Sequence, residues 1–397
     1  MNRSTQTFSQ PQRTTLVGVL FLAVLGLSAC DNQGADTAPP HTAAPATADA
    51  EDPVLAQTSA GVWLRGIAIL EASLAEAQIL ADAVQALLDN PTEDNLNTAR
   101  LAWRRSHDAY NEFDLFTALG DSNPGLFGTM MEYDFPVDAW PIQPGYLDYY
   151  DVYTHSGIVN DIAMPLTADT LRQQHGFTDT SDVSLGFHAL EYLLWGENGE
   201  RSVDDYSQAT LDSAQQSADL RPVDLPNNRR RTLLTLLVNL LVDDIERFKQ
   251  AVENPSGLLR GSYLSLQPAS RLALMQGAGH TLLNRHRDQL QAQLGPSEGA
   301  TPEQSEGLIH NPFAGGIPNA LAHSLLTLEE VLLSENGFGE WAIDDEEQRT
   351  IAQEKLAQLR VQLLSWNDQA WPPEEEQAAA IIETLTELAE LFAPEHL

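Results

Sequence analysis

Asp182-Val183-Ser184-Leu185-Gly186-Phe187-His188-Ala189-Leu190-Glu191-Tyr192-Leu193-Leu194-Trp195-Gly196 is the stretch from which the rest of the chain can be read. Asp182 is suited to cap a helix N-terminus, and Gly196 can take the left-handed conformation that ends one. Phe187, Leu190 and Leu194 fall at i, i+3 and i+7, the spacing of an apolar helical stripe. His188 and Glu191 are also three apart and share a different face, one turn from each other. Gly186 leaves room for another chain segment to approach the backbone just before the histidine. A neutral imidazole beside a carboxylate is half of a metal site, although one such pair alone reads equally well as a structural salt bridge. The zinc-protease helices need a second histidine, and Tyr192 follows Glu191, so any remaining ligands must come from elsewhere.

Outward from this stretch the chain reads as helices. Apolar residues spaced by three or four predict a helix from Val54 to a stop at Asn90-Pro91, and a second from Thr92 through Trp103 and Tyr110 to Phe116. Residues 120–160 break the rhythm with Pro124, Pro136, Pro141 and Pro144, as functional or mobile segments often do. A helix is expected over Ile158–Leu171, then the quoted stretch, then a polar connection over 197–228. Arg229–Phe248 and Ala269–Leu294 are strongly periodic, with Arg229-Arg230-Arg231 expected to reach acidic neighbours because they oppose the helix dipole. After an irregular region at 295–318, helices are expected over Asn319–Leu333, Asp345–Trp366 and Ala378–Leu391. No strand pattern of any length occurs. The expected fold is all-α, two helical bundles side by side, divided as residues 54–215 and 216–397.

Four segments carry a family resemblance. Gly186-Phe187-His188-Ala189-Leu190-Glu191, running on to Trp195-Gly196, resembles the Gly-x-His-x-x-Glu signature of the imelysin family, envelope proteins also classed as M75 peptidases and including iron-regulated ones. Ala102-Trp103-Arg104-Arg105-Ser106-His107-Asp108-Ala109-Tyr110-Asn111-Glu112 resembles that family's Ala-Trp…Tyr…Glu helix and makes Glu112 a candidate third ligand. Asp138-Ala139-Trp140-Pro141-Ile142-Gln143-Pro144-Gly145-Tyr146-Leu147-Asp148-Tyr149 resembles its Asn-Ala-Trp-Pro loop; Gln143 stands where an acid is common, and Asp148 is kept in register. Glu306 to Phe313 resembles a Glu-x-Ser-Pro-Phe-Ser loop, with Asn311 in place of serine. His310 there is a ligand candidate, but a loop histidine of this kind is expected to be exposed. The resemblance implies an all-α fold and a site near the interface of two halves. It implies His188, Glu191, Glu112 and Asp148 as metal ligands, with Gly186, Trp103, Trp140, Trp195 and His310 around them.

Composition and the N-terminus narrow the setting. The 397 residues carry a formal net charge of −36, and only Lys249 and Lys355 are lysines, so no basic surface invites nucleic acid. Arg3 and Arg13 precede an apolar run, Leu16 to Leu27, too short for an ordinary spanning helix. Leu27-Ser28-Ala29-Cys30 resembles a lipobox. Residues 1–29 therefore read as a lipoprotein signal, Cys30 as a lipidated anchor, and 30–53 as a flexible Ala/Thr/Pro-rich tether. Cys30 is the only cysteine, so no disulfide and no thiolate ligand is available.

The expected protein is a periplasm-facing, lipid-anchored metal binder linked to iron uptake, on either membrane. Its donors are nitrogen and oxygen, suited to Fe, Zn or Cu without selecting among them, and its cargo would be an ion or a chelate. Other envelope iron-uptake proteins are possible partners. A metallopeptidase, with Glu112 or Asp148 as the base, and a haem or organic-ligand scaffold are the alternatives.

Overall fold

The computed structural model describes residues 52–293, 310–366 and 374–393. The signal segment 1–29, Cys30 and the tether up to residue 51 lie outside them, as do residues 306–309 of the second irregular loop. The described residues fall within one compact unit.

Helix α1, Pro53–Asp89, starts where the Asp52 side chain accepts the backbone N–H groups of Val54 and Leu55, and stops at Asn90. It buries Val62, Ile69, Leu70, Leu80 and Leu87 along one side. Helix α2, Glu93–Asn111, is capped by Thr92. The expected continuation to Phe116 is broken: α3, Asp114–Ser122, starts after a bend that buries both Phe113 and Phe116, their rings stacked at 5.1 Å. The proline-rich region is less irregular than expected, because it holds α4, Thr129–Asp138, with Pro136 inside it. The helix expected over 158–171 is instead two short pieces, Gly157–Asn160 and Ala168–Gln174. Pro165 lies between them, and proline cannot donate the helical hydrogen bond; Thr167 then caps the second piece.

Helix α5, Gly186–Trp195, carries the motif. It starts four residues after Asp182 with no side-chain cap, and all ten of its residues are buried, so the expected one-sided stripe is a helix enclosed on every face. The later helices are α6, Pro226–Glu253; α7, Pro268–Gln293; α8, Ile317–Leu328, prolonged by a π turn to Leu333; α9, Glu346–Ser365; and α10, Glu375–Leu391. No strand occurs among the described residues, and the fold is all-α.

Packing crosses the boundary between the expected halves. Helix α1 lies against α2 and α6, α7 against α3 and α10, and α8 against α2 and α9. Helix α5 is wrapped by α2, α4 and α6. A buried ion cluster fixes the loop after α4 to α6. The Asp148 carboxylate accepts from Arg201 Nη1 at 2.8 Å and from Arg230 Nε at 2.6 Å, with all three side chains at most 3% exposed. Arg230 thus meets the acidic partner expected for it. Arg229 and Arg231 do not: they donate to backbone carbonyls, Arg229 to Ile158 and Val159, Arg231 to Leu88 and Tyr206.

Candidate metal centre

A wholly buried helix cannot leave two polar side chains without partners, because an unpaired buried polar group costs about 1–3 kcal/mol. His188 is 1% exposed and Glu191 is fully buried. His188 Nδ1 donates to Glu191 Oε2 at 2.9 Å, and the other carboxylate oxygen accepts the backbone N–H groups of Phe313 at 2.9 Å and Ala314 at 2.7 Å. Glu191 therefore orients the histidine and ties α5 to the 310–314 loop. It faces away from the other donors.

Those donors are His107, Asp138 and His310, which with His188 place one ligand atom each within 4.8 Å of one another. His107 comes from α2, Asp138 ends α4, and His310 precedes α8. Asp138 is the hub. Its Oδ1 lies 3.0 Å from His107 Nε2 and 3.2 Å from His188 Nε2, and its Oδ2 lies 3.5 Å from His310 Nε2. His188 Nε2 and His310 Nε2 are 3.1 Å apart. Metal–donor bonds of about 2.1 Å give donor–donor edges of about 3.0–3.4 Å in octahedral and tetrahedral shells. Four of the contacts, at 3.0–3.5 Å, come close to those edges, within a donor set that spreads to 4.8 Å.

The supports behind the donors are specific. Trp103 stacks on the His107 ring at 4.8 Å and donates its indole N–H to the Phe187 carbonyl. Asn111 donates to His107 Nδ1 at 3.3 Å, which leaves the Nε2 proton pointing at Asp138. Gly186 has φ +82°, and a Cβ there would stand 2.4 Å from the Val137 carbonyl, next to Asp138. All three fixed letters of Gly-x-His-x-x-Glu are now placed: the glycine lets α5 meet α4, the histidine donates, and the glutamate holds the histidine. Gly186→Ala is expected to destabilise the fold by at least about 2 kcal/mol, from the left-handed backbone and the carbonyl clash together. A urea unfolding curve checks it.

Electrostatics set the protons. Burial alone would raise the Asp138 carboxyl, but the electrostatic pull of His107 and hydrogen bonds to His107, His188 and His310 hold it well below the usual range. Burial disfavours the charged form of His188 too, yet hydrogen bonds to Asp138 and Glu191 outweigh that and raise it to about 9. His310, pushed down chiefly by burial, falls to about 4 and stays neutral. A polar cavity of about 40 Å3 lies behind the cluster, lined by Asp114, Asp134, Asp138 and Arg285 among others. Burial first, and then the Asp138 charge, lift Asp134 to about 7, so Asp138 carries the site's negative charge.

The residues expected from sequence divide accordingly. His188 and His310 share the cluster, and His310 is 8% exposed, where an exposed loop residue was expected. Glu191 stands one hydrogen bond behind it. Glu112 is elsewhere, 3.1 Å from His323 Nδ1 and 3.7 Å from Arg65. Asp148 is elsewhere too, its oxygens taken by two arginines. As donors beside His188 they are replaced by His107 and Asp138. Trp140 lies against His310 at 5.1 Å, whereas Trp195 sits away from the donors, edge-on to Trp103 with Arg100 over its ring.

Comparisons with known proteins agree with this architecture. The family model described as imelysin, peptidase M75, matches residues 66–309. No curated protein matches the chain. Among solved structures, an imelysin-like protein from Psychrobacter arcticum 273-4 is similar at 14% identity and a TM-score of 0.58, covering 85% of this chain and 93% of that one. A Parabacteroides distasonis ATCC 8503 protein, named as an iron-regulated protein A precursor, is similar at 12% identity and a TM-score of 0.58, covering 88% and 97%. At these identities the likeness is one of fold.

Proposed function

The chain belongs to the imelysin family, and on that premise we propose that it is an envelope metal-binding protein of iron uptake. Its cargo would be held by His107, Asp138, His188 and His310. The observation that carries this reading is the convergence of three buried imidazoles on one partly buried carboxylate, with contacts of 3.0–3.5 Å to it. Three imidazole nitrogens and one carboxylate oxygen, with no sulfur, suit Fe, Zn or Cu. Burial with Glu191 behind His188 matches the way metal-binding histidines are oriented by a carboxylate on the other ring nitrogen. The iron-regulated name of the Parabacteroides neighbour lends support for iron. The lipobox ending at Cys30 supports a lipid-anchored, periplasm-facing location.

Peptide hydrolysis has less support. A metal-activated water needs a general base beside it, and Glu191, the motif's carboxylate, already accepts from His188 and two backbone amides.

The test is metal content of the purified chain after exposure to Fe, Zn and Cu. One equivalent per chain supports the proposal, and none in a folded sample sinks it. Binding must also be pH-linked, since His188 must shed a proton before its Nε2 can coordinate. With His188 raised to about 9, loading at neutral pH is expected to release about one proton, and apparent affinity to rise about tenfold per pH unit up to about 9. Titration calorimetry in buffers of different ionisation enthalpy reads that proton directly.

A further inference from the structure

The donors are shared between two spaces of opposite character. Behind them lies the small polar cavity; in front lies a pocket of about 250 Å3 whose walls include Trp140, Ile142, Tyr150 and Phe313. His188 is the cluster residue on its lining, and among the described residues Glu197 is the one carboxylate there. Glu197 is already engaged, accepting the Asp151 backbone N–H at 2.9 Å. Among the described residues no lysine or arginine lines the pocket.

Two of the four segments that supply the donors also build the pocket. Asp138 runs on into Trp140 and Ile142, and His310 runs on into Pro312 and Phe313. A molecule seated there has His188 on its wall and so lies beside the donor cluster. An octahedral ion held by four protein atoms keeps two positions for other ligands. Resting on the metal reading above, we infer that this pocket receives a bidentate aromatic chelator of the catechol class, which completes the shell of a bound Fe(III).

The chemistry of the walls selects that class. Aromatic and aliphatic walls favour a flat apolar body, and a few polar groups at one end fix its orientation. The vicinal oxygens reach the ion after losing their two protons to solvent, and the ion neutralises them. A polycarboxylate such as citrate would bring further carboxylates into a wall that has no cation to pair them, at a desolvation cost.

The experiment loads the whole chain with Fe(III) and then adds catechol, citrate or acetohydroxamate separately. The readouts are the visible iron–catecholate charge-transfer band and the stoichiometry of each complex. Catechol is expected to saturate at one per iron, at least tenfold tighter than citrate or acetohydroxamate. In Ile142→Trp, which fills the pocket, iron uptake is expected to persist while catechol binding falls at least tenfold; Phe313→Leu, a milder change, is expected to lose less. Iron uptake with no preference for catechol, or equal catechol binding in Ile142→Trp, overturns this inference and leaves metal binding standing. No iron in the folded parent overturns both.

Discussion

Asp138→Asn is expected to abolish stable metal binding, lowering affinity by at least about a hundredfold while the chain stays folded. The substitution keeps the size of the side chain and removes the charge that all three histidines face. Without it, His188 also loses one of the two carboxylate charges that raise its pKa. Glu191→Gln should be milder, about 10–100-fold, since it disturbs the orientation of His188 and not the donor count. Glu112→Gln should leave binding unchanged, because Glu112 pairs with His323 and Arg65. Metal titration of the three variants gives this order if the assignment holds. Equal losses in Asp138→Asn and Glu112→Gln would return Glu112 to the donor set.

Asp148→Asn is expected to act on stability, at about 3–5 kcal/mol, the usual cost of stranding a buried charge. Here two guanidinium groups, Arg201 and Arg230, would lose the carboxylate they hold most closely, in a space where all three side chains are at most 3% exposed, and keep only Asp205 at 3.3 and 3.9 Å. Against a typical total of about 5–15 kcal/mol, that is a large share. A urea midpoint far below the parent's, with metal affinity unchanged under folding conditions, is the expected result. A normal midpoint with lost metal would make Asp148 a ligand after all.

Much of the helical layout was legible because it is local. Spacing, Asn90-Pro91 and Thr92 mark the end of α1 and the start of α2. His188 and Glu191 were visible as one turn of helix. The other donors were hidden for different reasons. His107 lies four residues from Trp103 and three from Tyr110, so it looks like part of a core stripe; its burial on α2 was the available signal. Asp138 ends a short helix containing proline, and nothing beside it in the chain announces three histidines. Glu112 and Asp148 carry the same carboxylate in equally suggestive segments, and only their arginine and histidine neighbours, distant in sequence, exclude them. His310 looks exposed because Asn311 and Pro312 follow it, yet the Glu191 carboxylate draws its loop inward. Local spacing can nominate a ligand; convergence decides it.

The donors come from four separate stretches, with His107 and Asp138 31 positions apart and His188 and His310 122 apart. On the proposed reading, an ion shared by them would act as a reversible cross-link, closing long loops that an unfolded chain would otherwise leave open. Anything that binds only the folded state stabilises it, by about 2.7 kcal/mol at a hundredfold excess over its dissociation constant. Loaded and empty chains would then differ in lifetime as well as in content, and the empty chain is the one that opens more often to a protease.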